Sequence, residues 1–236
     1  MDFVIVKSNI VNVTADAIVL PANEALREGP GTSRAIFEAA GRNQLERACA
    51  QIGHCDIGSA VPTPAFGLNA RFIIHAVVPR WVDGNSNEYA FLSSAYLSSL
   101  KIADLMKCES IAFPLLASGN NGFNRELAFK IASESINSFD STTLQKVILV
   151  VYGDNTENFV KSLGYDITVI GNQKVIANNN VNNDIILNGL KIAGEWLMNK
   201  ENQKTLIEFG LIVASLVLKK DSKAIQALKS LKNLIK

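Results

Sequence analysis

Residues 19–41, VLPANEALREGPGTSRAIFEAAG, and residues 113–128, FPLLASGNNGFNRELA, share one plan. In each, an apolar run stops, a loop of glycine and small polar residues follows, and a helical pattern begins. Gly29, Pro30 and Gly31 stand directly ahead of a helix that Thr32 or Ser33 is placed to cap. Ser118, Gly119, Asn120, Asn121 and Gly122 fill the equivalent stretch of the second loop. The chemistry these residues offer is anion binding. Glycine has no Cβ, so backbone N–H groups come close to a phosphate, and a helix start adds partial positive charge. One such turn is equally well a plain helix start. Two of them can close on the two phosphates of a diphosphate from opposite sides. Neither loop holds the Gly-Lys-Ser/Thr of a P-loop, which argues against a nucleoside-triphosphate hydrolase.

Other reactive side chains are few. His75 lies inside the apolar run FIIHAVV, where a histidine is more often a satisfied core residue than a catalyst. Cys49, His54 and Cys55 do not match a zinc spacing, so neither metal nor cofactor is expected. Cys108 is expected at a helix end as a small hydrophobe, and Trp81 as a packing residue. Arg34 either is a solvated helix residue or reaches the diphosphate. Asn120 and Asn121 are ligand contacts or simple turn formers.

The loops need elements to hold them. Short β-branched runs fall at 3–6, 17–21, 60–64, 71–78, 110–116, 146–152 and 166–170. Helical spacing appears between them, at 33–40, 44–51, 89–106, 125–139 and 156–163. Alternating strands and helices predict an α/β fold with a mixed sheet covered on both faces. Loops at the carboxyl ends of such strands are where α/β sheets take ligands.

The texture changes after residue 170. Residues 171–184 hold six asparagines in fourteen positions, which reads as a linker. Residues 185–236 read as a small all-helical appendage, with Ile186, Leu190, Ala193 and Leu197 on one face. A unit of about 50 residues is marginal alone, so it is expected to pack on the first domain, on a second copy of itself or on a protein partner. Its most apolar window, FGLIVASLVL at 209–218, is too short to span a bilayer, and a buried helix is expected. Residues 1–181 carry 14 basic against 17 acidic side chains, and residues 182–236 carry 9 against 5. A first region of net negative charge disfavours nucleic acid, though the basic tail keeps it open. Three cysteines without regular spacing and an N-terminus without signal-peptide character suggest a cytoplasmic protein.

Taken in order, the motifs resemble those of the macro domain, the ADP-ribose-binding module, over residues 1 to about 170. ADAIVLPAN is similar to the family's strand and Asn-Ala-Ala-Asn turn. LREGPGTSRAIFEAAG resembles its first phosphate loop and SIAFPLLASGNNGF its second. Between them lies a strand that ends in a His followed shortly by Pro and Trp. The resemblance implies a three-layer α/β/α fold. It implies that Asn9 and the Ile10 backbone meet the adenine and that Asn23 meets the distal ribose. It further implies that Gly31, Thr32 and Ser33 hold phosphate from one side and Ser118, Gly119, Asn120, Asn121, Gly122 and Phe123 from the other. Tyr152 would line the adenosine pocket.

Three departures from the family pattern matter. Ser33 stands where hydrolytic members often carry an aspartate, Asn121 where an aromatic usually packs on the ribose, and Pro30 where a glycine would donate an N–H. Serine is a poor base near neutral pH. The leading expectation is therefore a module that binds ADP-ribose or an ADP-ribosylated ligand. The alternative is a hydrolase of mono-ADP-ribosylated protein or acyl-ADP-ribose, with Asn23 as the candidate catalytic residue and a substrate phosphate orienting the water. A third reading is an RNA or poly(A)-type binder.

Overall fold

The computed structural model describes residues 1–153 and 156–169. The expected linker at 171–184 and helical region at 185–236 lie outside the described residues. Seven strands form one sheet: β1 (Asp2–Lys7), β2 (Ala17–Ala22), β3 (Ala60–Pro64), β4 (Phe72–Val77), β5 (Ser110–Pro114), β6 (Lys146–Val151) and β7 (Thr168–Val169). Their spatial order is β3-β4-β2-β5-β6-β1-β7. All neighbours run parallel except β3, which pairs antiparallel with β4. β3 is an edge strand, and its Pro62 and Pro64 suit a position where few ladder donors are needed.

Among the described residues five helices flank the sheet: α1 (Thr32–Ala40), α2 (Arg42–Ile52), α3 (Glu88–Leu105), α4 (Arg125–Asn137) and α5 (Thr156–Ser162). Successive strand residues point to opposite faces, and the two cores sort accordingly. Ala17 and Val19 of β2, Ile74 and Ala76 of β4, and Val147 and Leu149 of β6 join Leu92, Tyr96 and Leu100 of α3 and Ala128, Ala132 and Ile136 of α4. Ile18 and Leu20, Ile73 and Val77, and Ile148 and Val150 join Ile36, Phe37 and Ala40 of α1 and Leu45 and Cys49 of α2. This is the expected three-layer arrangement. Burial on both faces is why the central strands read as unbroken apolar runs rather than alternating ones.

Two features level the carboxyl ends of β2, β4 and β5. At their amino ends, Asp16 collects all three strands. Its carboxylate accepts N–H bonds from Glu109 (2.8 Å) and Ser110 (3.0 Å), and its carbonyl accepts those of Arg71 and Phe72. Along their length β2 lies between β4 and β5. The loops that leave these strands at the opposite edge are therefore neighbours, although about 90 residues separate the first from the last.

Candidate functional site

The first loop follows β2. Asn23 opens it and folds back on it: its Nδ2 donates to the Arg27 carbonyl (2.8 Å) and its Oδ1 accepts from the Arg27 N–H (3.0 Å). Glu28, farther along, pairs with Arg42 at 2.6 Å and with Arg34 at 3.7 Å. Arg34 is thus tied to its own loop and does not line the cleft.

The start of α1 differs from the sequence expectation. Neither Thr32 nor Ser33 caps it, because both already lie in the first helical turn. The cap position falls on Gly31, at φ 65° and ψ −126°, and makes no side-chain cap bond. Ser33 Oγ instead accepts the N–H of Gly29 at 3.0 Å, drawing the Gly-Pro-Gly turn over the helix. A helix start with no side chain over it keeps its N–H groups and its partial positive charge for a ligand.

The second loop follows β5, and here the two loops are not equivalent. α4 is capped by Asn124, whose Oδ1 accepts from the N–H groups of Glu126 (2.9 Å) and Leu127 (3.3 Å). What this loop offers is its own backbone, curled by N–H bonds from Gly122 to the Gly119 carbonyl (2.9 Å) and from Phe123 to that of Ala117 (3.2 Å). The curl needs left-handed backbone at Ala117 (φ 61°) and Gly122 (φ 81°). The buried Tyr96 hydroxyl accepts the Leu116 N–H at 3.0 Å and fixes the loop's base. Asn121 sews the loop to the exit of β4: its Nδ2 donates to the Pro79 carbonyl (2.9 Å), and its carbonyl accepts from the Trp81 N–H (2.8 Å).

The two loops face each other across a cleft of about 740 Å³, within the range of small-molecule sites. A Cβ placed on Gly31 would lie 3.8 Å from Asn120 Nδ2. Of the residues expected at the site, Asn23, Gly31, Thr32, Ser33, Gly119, Asn120 and Asn121 line this cleft. Asn9, Ile10, Ser118, Gly122, Phe123 and Tyr152 are not among its lining residues. Asn9 accepts from the Val11 N–H and caps the short 3-10 turn Ile10–Asn12, and Ile10 is buried in the core. Ser118 donates to the Leu115 carbonyl, Gly122 supplies the bend, and Phe123 packs edge-on against Trp81 at 5.2 Å. Tyr152 is 77% exposed beyond β6.

A third wall was not legible in the sequence. The segment after β4 wraps around the carboxylate of Glu88, the first residue of α3. Glu88 Oε1 accepts the N–H groups of Val82 (3.1 Å), Asp83 (3.0 Å) and Gly84 (3.0 Å), and Oε2 accepts that of Ser86 (2.7 Å). Burial works against the charge, but the N–H bonds outweigh it and hold the carboxyl at about 2. The one sequence signal for this role is an acidic residue in a helix's first turn.

The other reactive groups sit as follows. His75 is fully buried, bonded to Thr63 Oγ1 at 2.9 Å, and burial lowers its pKa to about 3. All three cysteines are buried and free, and burial raises each to about 12. Cys49 lies beside His75, away from an assembly with His54 and Cys55; His54 instead pairs with Asp56 at 2.9 Å. No helix among the described residues is long and apolar enough to cross a membrane.

Comparison with known proteins agrees with this geometry. A family model described as Macro domain matches residues 19–132. A macro domain-containing protein of Caldanaerobacter subterraneus subsp. tengcongensis is 39% identical over 154 residues, covering 64% of this chain and 88% of that protein. An O-acetyl-ADP-ribose deacetylase of Escherichia fergusonii is 42% identical over 139 residues, covering 57% of this chain and 78% of that protein. The solved Oceanobacillus iheyensis macrodomain with ADP superposes with a TM-score of 0.61 at 29% identity, covering 67% of this chain and 90% of that one.

Proposed function

As the chain belongs to the macro-domain family, we propose that its cleft binds ADP-ribose or an ADP-ribosylated ligand, with the diphosphate between the two glycine-bearing loops. The observation that carries this is the uncapped start of α1 at Gly31, facing Asn120 across the cleft. One side offers a helix dipole and first-turn N–H groups; the other offers a curled backbone held open by left-handed residues. Together they suit two linked anionic groups. Preorganised donors lose little freedom on binding, so the geometry favours affinity for the diphosphate over any one sugar or base.

A second reading concerns turnover and is favoured by the deacetylase among the relatives. Hydrolysis of an acyl-ADP-ribose ester adds water across the acyl C–O bond and releases a carboxylic acid and ADP-ribose. Ser33 is a poor base near neutral pH, and its hydroxyl already accepts the Gly29 N–H. A substrate phosphate oxygen would have to orient the water.

Calorimetric titration with ADP-ribose, followed by incubation of the same sample with acyl-ADP-ribose and with mono-ADP-ribosylated acidic residues, tests both readings. Saturable binding without product supports binding alone. Product that disappears in Asn23→Ala, with the fold intact, supports hydrolysis. Absence of ADP-ribose binding overturns both. Three buried free thiols fit a reducing compartment, and we place the protein in the cytoplasm on that ground. We further propose that residues 1–170 form the ligand-binding domain, 171–184 a linker and 185–236 a region for self-association or a protein partner.

A further inference from the structure

Four successive backbone N–H groups of the second loop, those of Ser118, Gly119, Asn120 and Asn121, donate to no other described residue. Nothing lies within 4 Å of where a Cβ on Gly119 would stand. A run of free donors suits an anion, but the chain must hold this shape before one arrives. The shape is strained: Ala117 sits at φ 61°, a left-handed conformation that a residue with a Cβ rarely adopts. Inside the curl only the N–H bonds of Gly122 and Phe123 oppose that strain.

Further ties come from the segment after β4. Asn121 Nδ2 donates to the Pro79 carbonyl at 2.9 Å and reaches that of Val78 at 3.5 Å, so this donor is occupied by the β4 exit although the residue lines the cleft. The Trp81 N–H returns a bond to the Asn121 carbonyl. The Trp81 ring then stands between two walls. It meets Phe123, at the end of the loop, edge-on at 5.2 Å, and Tyr89 of α3 at 5.6 Å. A Cβ placed on Gly84 would meet the ring at 3.0 Å, and Gly84 is itself held by the Glu88 carboxylate. Trp81 is not among the residues that line the cleft. A ring that touches the loop and the Glu88-bound segment, but not the cleft, can influence a ligand only through the loop.

We propose that Asn121 and Trp81 are positioning residues for the second loop: they hold its free N–H groups in the binding curl before a ligand arrives, on the reading that the two loops take the diphosphate of ADP-ribose. Neither side chain has to touch the ligand for this. A loop that is curled in only a fraction of the molecules binds with its affinity reduced by that fraction. Loosening either tie therefore weakens ADP-ribose by opening the loop, while every group that faces the ligand stays in the chain.

The test makes two measurements on the full chain and on Asn121→Ala, Trp81→Leu and Trp81→Phe. One is calorimetric titration with ADP-ribose. The other is hydrogen exchange at the Gly122 and Phe123 amides, whose bonds close the curl, with and without saturating ADP-ribose. Asn121→Ala and Trp81→Leu are expected to weaken ADP-ribose about three- to tenfold and to speed exchange at both amides, with protection regained at saturation. Trp81→Phe, which keeps a ring against Phe123, should restore most of the affinity. Unchanged affinity in Asn121→Ala and Trp81→Leu, with lower urea midpoints, overturns the proposal and makes both plain packing residues. Weaker binding in Asn121→Ala with unchanged exchange also overturns it, because Asn121 then meets the ligand directly. Asn121→Ala decides the question by itself if Trp81→Leu does not fold. Absence of ADP-ribose binding by the unaltered chain overturns the diphosphate reading, and this proposal with it.

Discussion

At the scale of single residues, the site depends on backbone conformations and hydroxyls more than on charged side chains. Gly31 at φ 65° has only Asn120 near its absent Cβ, at an ordinary contact distance of 3.8 Å. Gly31→Ala is therefore costly through backbone strain and not through a clash. The expected loss is about 1–3 kcal/mol of stability, read by urea unfolding, with weaker ADP-ribose binding by calorimetry. Ser33→Ala removes the acceptor for the Gly29 N–H and should cost about 0.5–1.5 kcal/mol. Glu88 gives a pH-dependent prediction. Unfolded, its carboxyl titrates near 4.5; folded, it is held at about 2. Between those values the unfolded chain binds a proton that the folded chain does not. Its contribution is therefore present above pH 4.5 and lost as pH falls through about 2. The stability gap between the wild type and Glu88→Gln should be wide at pH 7 and narrow at pH 3. A gap that stays constant over this range would remove the carboxylate clamp as its cause.

At the scale of elements, two loop-helix units that look alike in sequence divide their work. α1 begins without a side-chain cap and presents its dipole to the cleft; α4 is capped by Asn124 and contributes only the loop ahead of it. Asn124→Ala should lower stability by about 1 kcal/mol while leaving ADP-ribose affinity nearly unchanged, since the residue stands outside the cleft. Phe37, fully buried under α1, holds that helix on the sheet. Truncation at such a core position costs about 3–5 kcal/mol, so Phe37→Ala should unfold at far lower urea and lose ligand binding with the fold. The contrast between these two variants separates what anchors a helix from what aims it.

At the scale of the whole molecule, three parallel strands joined at one end by Asp16 deliver three loops to a common edge at the other. One of these strands, β4, also carries the fully buried His75. Its folded pKa of about 3 lies below its ordinary 6.5, so the unfolded chain takes up a proton that the folded chain refuses. Stability is complete above pH 6.5 and declines as pH falls toward 3, by at most about 1.4 kcal/mol per pH unit. Urea midpoints should begin to drop between pH 6.5 and 5, before most carboxylates titrate, and His75→Gln should flatten that part of the profile. The C-terminal region gives a separate test. A chain ending at residue 170 should bind ADP-ribose as the full chain does, and a loss of sedimenting mass beyond that of the removed residues would assign self-association to 171–236.

Local pattern alone determined the elements. Short β-branched runs and period-3.6 spacing marked the seven strands and five helices of the described residues to within a few residues, because each element's burial is written into its own neighbours in the chain. The glycine-bearing loops were legible for the same reason: the need for close backbone approach is met by residue type. What the sequence left undecided was set by contacts between distant segments. Whether Ser33 caps a helix or braces Gly29 depends on where the Gly31 backbone turns. Asn121 reaches the Pro79 carbonyl from the cleft wall because β2 places the β4 and β5 exits side by side. Glu88 becomes a clamp only once the segment after β4 folds around it, and no motif announces four N–H groups converging on one carboxylate. The wall drawn from Ile57, Arg80, Val82 and Phe91 exists only in three dimensions. Hydrophobic period is a local quantity and survives in one dimension; the meeting of loops is set by sheet order, which is not.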